Sequence, residues 1–525
     1  EPREFQSSVE TTADNYGALW QYLSDKMPTR LQFDYTDLHF HPFDSSQAES
    51  ERKNLDLRFD TAYKFNEHNV LSFLYEHQSV NEQSHGDQPY KLAYDSDELT
   101  VRHRFEFGEQ HQHRLESEFD YFKQQGSIEE DRLRWRETLR LKHSDTLRSW
   151  YELELQDQTR GSLGDLPPIT EQSYRFTGTV EHRLFDSLVS QLIAMAQRQD
   201  FKAGAEIDRY AVEARFDYTK KNPLGVLRAN YNARLEKEER QGNQLRAEIR
   251  DEPHTFRDPE PIVVDNPSLV AGTIVVKAQD RITFYQVGRD YTLRTVGDRV
   301  EIERVPTGRI TDGQTVLVDY VYSLGGSFKL DTVNQNFGIR QDFKFGLSPY
   351  YRLRRQDQSV TPQTATGVVP EDITANIVGV EYRWKTFDAS AEYEDHASSI
   401  NSFDALRLRA GYSHRFPFNG TATLRATWSD VTYAPPRDRE TKFLTLEGRY
   451  RQALFASKLT AEGAVVYRHV DDTQTGPQQG VDVTFSLEWF IRQIEIRLTG
   501  EYKQFDDDFA KNTSSTLWLQ VRRKF

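Results

Sequence analysis

Apolar and polar residues alternate with a period of two along most of the chain. Over residues 132–142 one side is apolar and the other is basic: Leu133, Trp135, Leu139 and Leu141 against Arg132, Arg134, Arg136, Arg140 and Lys142. Successive side chains of a β-strand point to opposite faces, so this pattern predicts strands with one face in an apolar medium. The alternation recurs in roughly 22 stretches of about 10 to 12 residues, the length and even number expected of a transmembrane barrel.

The connections between these predicted strands alternate between short and long. The short ones are 66–68, 108–111, 143–145, 185–187, 222–223, 385–387 and 491–493. The long ones are 42–53, 81–97, 124–131, 159–171, 359–372, 433–440, 471–479 and 505–513. A membrane barrel has short turns at one end and long loops at the other, whereas a soluble sandwich has no reason to keep this phase. The fold class is therefore predicted as all-β: a large transmembrane antiparallel β-barrel of about 22 strands.

Two segments depart from the pattern and divide the chain into four parts: 1–29, 30–240, 241–325 and 326–525. In the first part, an apolar face formed by Ala18, Leu19, Trp20, Tyr22, Leu23 and Met27 predicts a short helix that ends at Pro28. This helix is expected to act as a small plug or periplasmic contact, or to pack against the barrel mouth.

The third part, 241–325, is predicted to be a small β-domain inserted between the two halves of the barrel. It begins with a linker rich in proline and aspartate, 251–267. The strands expected after the linker are 273–277, 282–286, 291–295, 300–304 and 316–322, with GRD, GDR and TDGQ turns between them. The insert follows the eleventh predicted strand, which places it on the long-loop, extracellular side. A strand count that differs by one would place it on the periplasmic side.

Composition excludes several classes of protein. The chain has 525 residues, a net charge of −15 and no cysteine, and its mean hydropathy is −0.76. It contains no run of roughly 18 apolar residues, which a helical membrane span requires. The absence of cysteine excludes disulfides, thiol catalysis and thiolate metal sites. The net acidity argues against nucleic acid as a partner.

The final stretch, TSSTLWLQVRRKF at 513–525, alternates in the same way and finishes on Phe525. It resembles the closing strand of Gram-negative outer-membrane β-barrels, although Arg523 stands where that pattern usually has an aromatic or apolar residue. The resemblance implies the cell outer membrane as the location, contact with outer-membrane lipid and lipopolysaccharide, and recruitment of the barrel assembly machinery by Phe525. The opening Glu1-Pro2, with no apolar targeting segment, is interpreted as the start of a mature chain.

The charged faces of the strands must line the lumen, because the outer face of a membrane barrel lies in hydrocarbon. The lumen-lining candidates carry both signs of charge: Arg132, Arg134, Arg136, Arg148, Glu152, Glu154, Arg407, Arg409, Glu447, Arg449, Glu495 and Arg497. Such residues line a selective aqueous pore or hold a plug or partner. The alternative is cross-strand ion pairing that stiffens the wall.

The function expected from these features is a porin-like channel or conduit for polar or charged solutes. The alternative is a structural sheath or scaffold that encloses or anchors a partner protein, for example a multihaem cytochrome, in the lumen or at 241–325. Barrels near 22 strands are wide enough that something should occupy them. TonB-dependent transporters have this strand number, but they carry a long N-terminal plug domain, and only 29 residues precede the first predicted strand.

No catalytic or cofactor motif stands in a fitting context, so no enzymatic activity and no cofactor are predicted. The chain has two H-x-H pairs, His39 with His41 and His111 with His113. Neither pair has a third ligand at a defined spacing, so no metal site is predicted.

Overall fold

A computed structural model describes residues 9–523. The segments outside its description are 43–48, 86–89, 128, 162–167, 243–244, 257–260, 265, 267, 271, 280–283, 289, 297–298, 306–308, 312, 325, 363–368, 418, 436–437, 455–457, 475, 492–493 and 508–510. The described residues form 29 β-strands and a 3-10 turn at Glu109–His111. No helix among them is long and apolar enough to cross a membrane.

Twenty-three strands form one antiparallel main sheet. Twelve of them precede the inserted segment: β1 (Val9–Tyr22), β2 (Thr29–Pro42), β3 (Glu49–Asn66), β4 (Asn69–His85), β5 (Tyr90–Phe107), β6 (His113–Gly126), β7 (Glu130–Lys142), β8 (Leu147–Arg160), β9 (Ile169–Leu184), β10 (Leu188–Phe201), β11 (Ala205–Asn222) and β12 (Gly225–Gly242).

Six short strands lie in the insert: β13 (Leu245–Thr255), β14 (Ile262–Val263), β15 (Val275–Ala278), β16 (Tyr291–Val296), β17 (Arg299–Arg304) and β18 (Thr315–Leu324). The main sheet then resumes: β19 (Phe328–Phe343), β20 (Leu347–Thr361), β21 (Ile373–Trp384), β22 (Phe387–Ser398), β23 (Phe403–Arg415), β24 (Gly420–Tyr433), β25 (Arg439–Leu454), β26 (Leu459–Asp472), β27 (Gln478–Ile491), β28 (Ile494–Asp507) and β29 (Lys511–Arg523).

Each strand of the main sheet pairs with its neighbour along the chain, and β12 pairs with β19 across the insert. The predicted all-β class and large antiparallel sheet are therefore confirmed. The expected number of about 22 strands differs by one from the 23 strands observed. Among the described residues, no pairing joins β1 to β29.

The additional strand is β1, and the predicted N-terminal helix is wrong. Residues 9–22 pair with β2 along their whole length, from Val9 opposite Pro42 to Tyr22 opposite Thr29. A short apolar run fits a helical and an extended period almost equally well. The free edge of β2 decides between them, because it offers backbone partners to every residue of β1.

The strands are longer than predicted, with 12 to 18 residues in the main sheet. The predicted loop 81–97 is largely strand, since β4 continues to His85 and β5 begins at Tyr90. A membrane crossing needs only about 9–11 residues, so the strands extend past the membrane at the long-loop end. Neither face lies in hydrocarbon there, so the alternation disappears from the sequence while the backbone ladder continues.

The outward face of the main sheet is apolar. Leu133 and Trp135 are 44% and 46% exposed, and Leu235 is 59% exposed. These residues alternate along their strands with charged residues on the opposite face. The outward side chains make few contacts within the chain, as expected of a surface that faces hydrocarbon.

The insert forms two three-stranded sheets with a common core. One sheet has the order β13-β18-β15 and the other β14-β17-β16. Eight described residues of the core are at most 1% exposed: Phe256, Val264, Val276, Ile302, Ile310, Val316, Val318 and Tyr320.

One detail of the predicted insert is wrong, and another is described only in part. Residues 251–255 of the expected linker belong to β13, which pairs with β18. Residues 282–283 of the predicted strand 282–286 lie outside the described residues, and within 284–286 only Phe284 forms a bridge, to Lys277. The insert leaves and re-enters the main sheet at Gly242 and Phe328, at the long-loop end.

Candidate functional site

The inward face of β6 to β9 carries a network of ion pairs across neighbouring strands. The predicted lumen residues Arg132, Arg134 and Arg136 all take part in it. Their closest carboxylate oxygens are those of Asp120 at 3.2 Å from Arg132, Glu118 at 3.5 Å from Arg134 and Glu154 at 2.7 Å from Arg136.

Glu154 is shared between two arginines. It lies 2.7 Å from Arg136 on β7 and 2.8 Å from Arg175 on β9. Its side chain is 12% exposed, so little water screens these pairs. The ion-pair alternative that the sequence left open is therefore present at this residue.

A second network lies on the inward face of β20 to β23. Arg407 is 2.7 Å from Glu394 and 3.3 Å from Glu392, and Arg352 is 2.5 Å from the same Glu392. Arg409 lines a recess of about 560 Å³ beside this network.

The remaining predicted residues lie on β25 to β28 and on β8. Glu447 pairs with Arg425 at 3.5 Å, and Arg449 pairs with Glu462 at 3.7 Å. Arg497 pairs with Glu488 at 2.6 Å and with Glu495 at 3.9 Å. Arg148, Glu152 and Arg409 form no ion pair with a described residue.

The insert contacts the inward face of the main sheet at three places on the β4 to β11 side. The first place is polar. Arg250 of β13 donates a hydrogen bond to the carbonyl oxygen of Gly161 and lies 3.8 Å from Glu130 of β7. Arg160 of β8 donates to the carbonyl oxygen of Glu248 at 3.4 Å.

The other two places are apolar. Phe284 of the insert packs against a patch on β4 and β5 that consists of Val80, Leu92 and Tyr94. Ile207 of β11 is 3% exposed and belongs to the buried core of the insert itself. The insert and the main sheet thus share apolar contacts that exclude water from both.

A fourth contact lies on β25 and β26. Arg439 places one guanidinium nitrogen 2.7 Å from Glu303 of β17 and another 2.6 Å from Asp472 of β26. The Thr441 hydroxyl donates to Asp472 at 2.6 Å. The Asp472 side chain is fully buried, so Arg439 is the cation that balances its charge.

These four contacts require the main sheet to curve around the insert. β5 and β25 are fourteen strands apart in the sheet. At a spacing of about 4.8 Å, a flat sheet would separate them by about 67 Å. A domain of the insert's length has a radius of gyration of only about 12 Å. The insert therefore lies inside the curve and crosses the space between opposite parts of the wall.

Two cavities remain between the insert and the wall. Their volumes are about 770 Å³ and about 670 Å³. Gln156, Arg160 and Arg250 line both of them. The arrangement leaves two polar cavities beside the insert within the curve of the sheet.

The docking residues were missed from the sequence. Val80 and Ile207 interrupt otherwise polar faces close to the long-loop end, and this interruption is a signal that a pattern search could have used. Arg439 gives no such signal, because Glu303 is 136 residues away and the fold alone brings the two together.

The histidine pairs stay apart from the lumen network. His39 lies with Asp37 and Glu51 in a group whose ligand atoms are within 4.8 Å of one another, but the Lys53 ammonium pairs with Glu51 there. The side chain of His41 lies outside the described residues, as does Phe525. His111 has a φ of 53°, so the extended backbone needed for a shared face with His113 is absent.

No protein-family profile matches the sequence, and no curated protein matches it. Solved structures with similar folds exist. The chain is similar to the siderophore receptor PirA from Pseudomonas aeruginosa, with 10% identity, a TM-score of 0.46, and 91% of this chain and 77% of that chain covered.

Two further structures are similar at the same level. For the copper transporter OprC the identity is 10% and the TM-score 0.48, with 100% of this chain and 81% of that chain covered. For the FrpB iron transporter from Neisseria meningitidis the identity is 10% and the TM-score 0.46, with 95% and 81% covered. Such similarity concerns architecture, so function has to be argued from this chain's own residues.

The chain has the architecture of a Gram-negative outer-membrane β-barrel protein. Its apolar outward face, its ion-paired inward face and its antiparallel neighbour-to-neighbour pairing all belong to that class. These features confirm the predicted resemblance at the level of architecture. The cell outer membrane as the location stays a prediction.

Proposed function

We propose that the protein is an outer-membrane channel for polar solutes whose extracellular mouth is covered by the insert, residues 245–324. The observation that supports the proposal most is that one insert contacts both the β4 to β11 wall and β25. A barrel of this strand number without a cover would contain a wide, open pore. Long loops mark the extracellular end in such barrels, which assigns the insert to that side.

We further infer that β1 and β29 pair and close the barrel. Within hydrocarbon every backbone polar group needs a partner, so two open strand edges are unfavourable. β1 and β29 both run from the long-loop end to the short-turn end. Their pairing is therefore parallel, as an odd number of strands requires.

Replacing residues 245–324 by a two- to four-residue glycine–serine turn tests the channel. β12 and β19 are already neighbours, and the Gly242 N–H donates to the Ser327 hydroxyl at 3.2 Å, so a tight turn can join them. The truncated protein should conduct several-fold more current than the full chain in planar bilayers. Replacing the loop 43–48 in the same way should leave the conductance unchanged.

Equal conductance of the full and truncated chains would mean that the insert does not cover the path. Purification in mild detergent separates the channel from the sheath expected as the alternative. A single species favours the channel, whereas a stoichiometric companion protein would favour the sheath. The proposal includes no enzymatic activity.

A further inference from the structure

The larger cavity between the insert and the wall has a balanced lining. Among the described residues, six basic, six acidic and six glutamine side chains surround its volume of about 770 Å³. The basic groups come from both sides, for example Arg132 of β7 and Lys277 of the insert. A site built for an anion or a cation has an excess of the opposite charge, and this lining has none.

The side chains in the cavity are held in place by one another. Gln158 is 3% exposed, donates to Glu130 at 2.6 Å and accepts from Arg160 at 2.7 Å. Gln156 donates to Gln158 at 2.8 Å. Carboxamides fixed in this way present donors and acceptors at set positions without adding charge.

Three polar atoms on residues that line one or both cavities lack partners among the described residues. Glu248 of β13 is 5% exposed, and its Oε2 accepts no hydrogen bond from a described residue. The Nε atoms of Arg160 and Arg134 are likewise buried and without a described acceptor. Buried polar groups are costly when unpaired, so these atoms mark a part of the lining whose hydrogen bonds the described residues do not complete.

Aromatic surface completes the lining. Tyr94 and Phe122 both face the larger cavity, and the Arg132 guanidinium lies 5.0 Å from the centre of the Phe122 ring. Hydroxyl groups both donate and accept, and the C–H faces of sugar rings pack on flat apolar surfaces. A metal cation or a phosphate has only one of these properties.

We propose that the cavities bind neutral, hydroxyl-rich solutes of the oligosaccharide class as they pass beside the insert. This inference rests on the proposed channel and narrows its solute. It identifies Gln156 and Gln78 as binding residues on the wall side of the larger cavity.

Binding is tested with the full chain and maltohexaose by titration calorimetry, in a detergent without a sugar headgroup. The uncharged hexasaccharide should bind, and an oligogalacturonate of the same length should bind at least about tenfold more weakly, because its carboxylates find no excess of basic groups. Gln156→Leu and Gln78→Leu should each weaken maltohexaose binding about tenfold. Gln191→Leu is the matched control, since Gln191 lies near the short-turn end and bonds to Glu181.

Planar-bilayer recordings separate this inference from the proposed channel. A current that maltohexaose interrupts supports both. A current that only the oligogalacturonate interrupts, together with no calorimetric binding of maltohexaose, would overturn the inference and leave the channel in place. Binding of maltohexaose without any current would retain the binding site and reject the channel.

Discussion

At the scale of single residues, the inward arginines lie between carboxylates of neighbouring strands. Arg136 has Glu118 on one side and Glu154 on the other. Because most of these charges have a nearby partner, the field along the lumen is weak at distances beyond the Debye length of about 8 Å. The wall should therefore select poorly between small cations and anions.

Glu154→Gln should shift the selectivity of the channel toward anions. The substitution removes the carboxylate that both Arg136 and Arg175 contact and leaves two positive charges on the lumen face. The reversal potential in a salt gradient measures the shift. Glu239→Gln is the control, because Glu239 pairs with Lys237 and Lys329 on the outward face. An identical reversal potential in Glu154→Gln and the unmodified chain would show that the solute path avoids this network.

Asp290 accepts hydrogen bonds from two other segments of the insert, at Gln286 and at Arg309. Burial favours the neutral carboxyl, but hydrogen bonds from the Arg309 side chain and from the N–H groups of Arg309 and Gln286 outweigh it and hold the pKa of Asp290 below its ordinary value. A lowered pKa in the folded state stabilises the insert above the ordinary aspartate pKa of about 3.9. That stabilisation is lost as the pH falls through the lowered value.

Asp290→Asn should destabilise the insert by about 2 kcal/mol at neutral pH. The difference from the unmodified chain should begin to shrink below about pH 4, where the carboxyl of the unfolded state becomes protonated while the folded state still resists protonation. Hydrogen exchange of residues 291–304 in the full chain, followed at several pH values, measures both effects. A difference that stays constant down to pH 2 would contradict the role of the ionised carboxylate.

At the scale of elements, β1 is the strand whose placement has the largest consequence. Its outward residues Trp20 and Tyr22 are 56% and 51% exposed, and its second edge is unpaired among the described residues. Pairing with β29 gives a 23-strand barrel, whereas displacement of β1 would let β2 and β29 close a 22-strand barrel in the antiparallel sense.

Cysteine cross-linking decides between the two closures, and the natural chain has no cysteine to interfere. Asn15→Cys combined with Thr516→Cys, Trp518→Cys or Gln520→Cys should give one cross-linked pair, since all four positions face inward. Thr499→Cys with Trp518→Cys is the positive control, because these residues are already opposite each other. Cross-links from Thr36→Cys in β2, and none from β1, would favour the 22-strand closure.

At the scale of the whole molecule, the insert connects wall segments that are far apart in the sheet. Its apolar contacts lie on β4, β5 and β11, and its ion pair with Arg439 lies on β25. We expect the apolar contacts with β4, β5 and β11 to persist when the insert moves, because the loss of no single hydrogen bond or ion pair would separate them. Arg439 is the contact that can be released by itself.

Arg439→Gln should loosen the insert and raise the open probability of the channel. It leaves the buried Asp472 without its cation, a change that costs about 3 kcal/mol. Glu303→Gln should have a smaller effect, since Arg439 still forms its ion pair with Asp472. Hydrogen exchange of the insert and single-channel recording measure the two outcomes. Arg451→Gln is the control, because Arg451 is 64% exposed and 3.9 Å from Glu462. Unchanged exchange in Arg439→Gln would remove Arg439 from this role.

The sequence by itself determined the all-β class, the phase of turns and loops, and which faces are apolar. The neighbours Leu133 and Arg134 illustrate the assignment of faces. Hydrocarbon on one side of a membrane strand requires an apolar side chain, and water on the other side allows a charged one. The sequence also predicted the insert, because turn residues and short strands replace the long alternating stretches over 241–325.

Only the tertiary structure decided the rest. β1 is a strand because the edge of β2 is available to it. β4 and β5 stay paired as far as Ser84 and Tyr90, where neither face lies in hydrocarbon and the alternation is lost. The contact between the insert and the β25–β26 wall depends on Arg439, Glu303 and Asp472, which lie on three separate strands. The local alternation of side chains depends on whether each face lies in water or in hydrocarbon. Pairing partners and long-range contacts depend instead on which strand edges and charged groups the whole fold brings together.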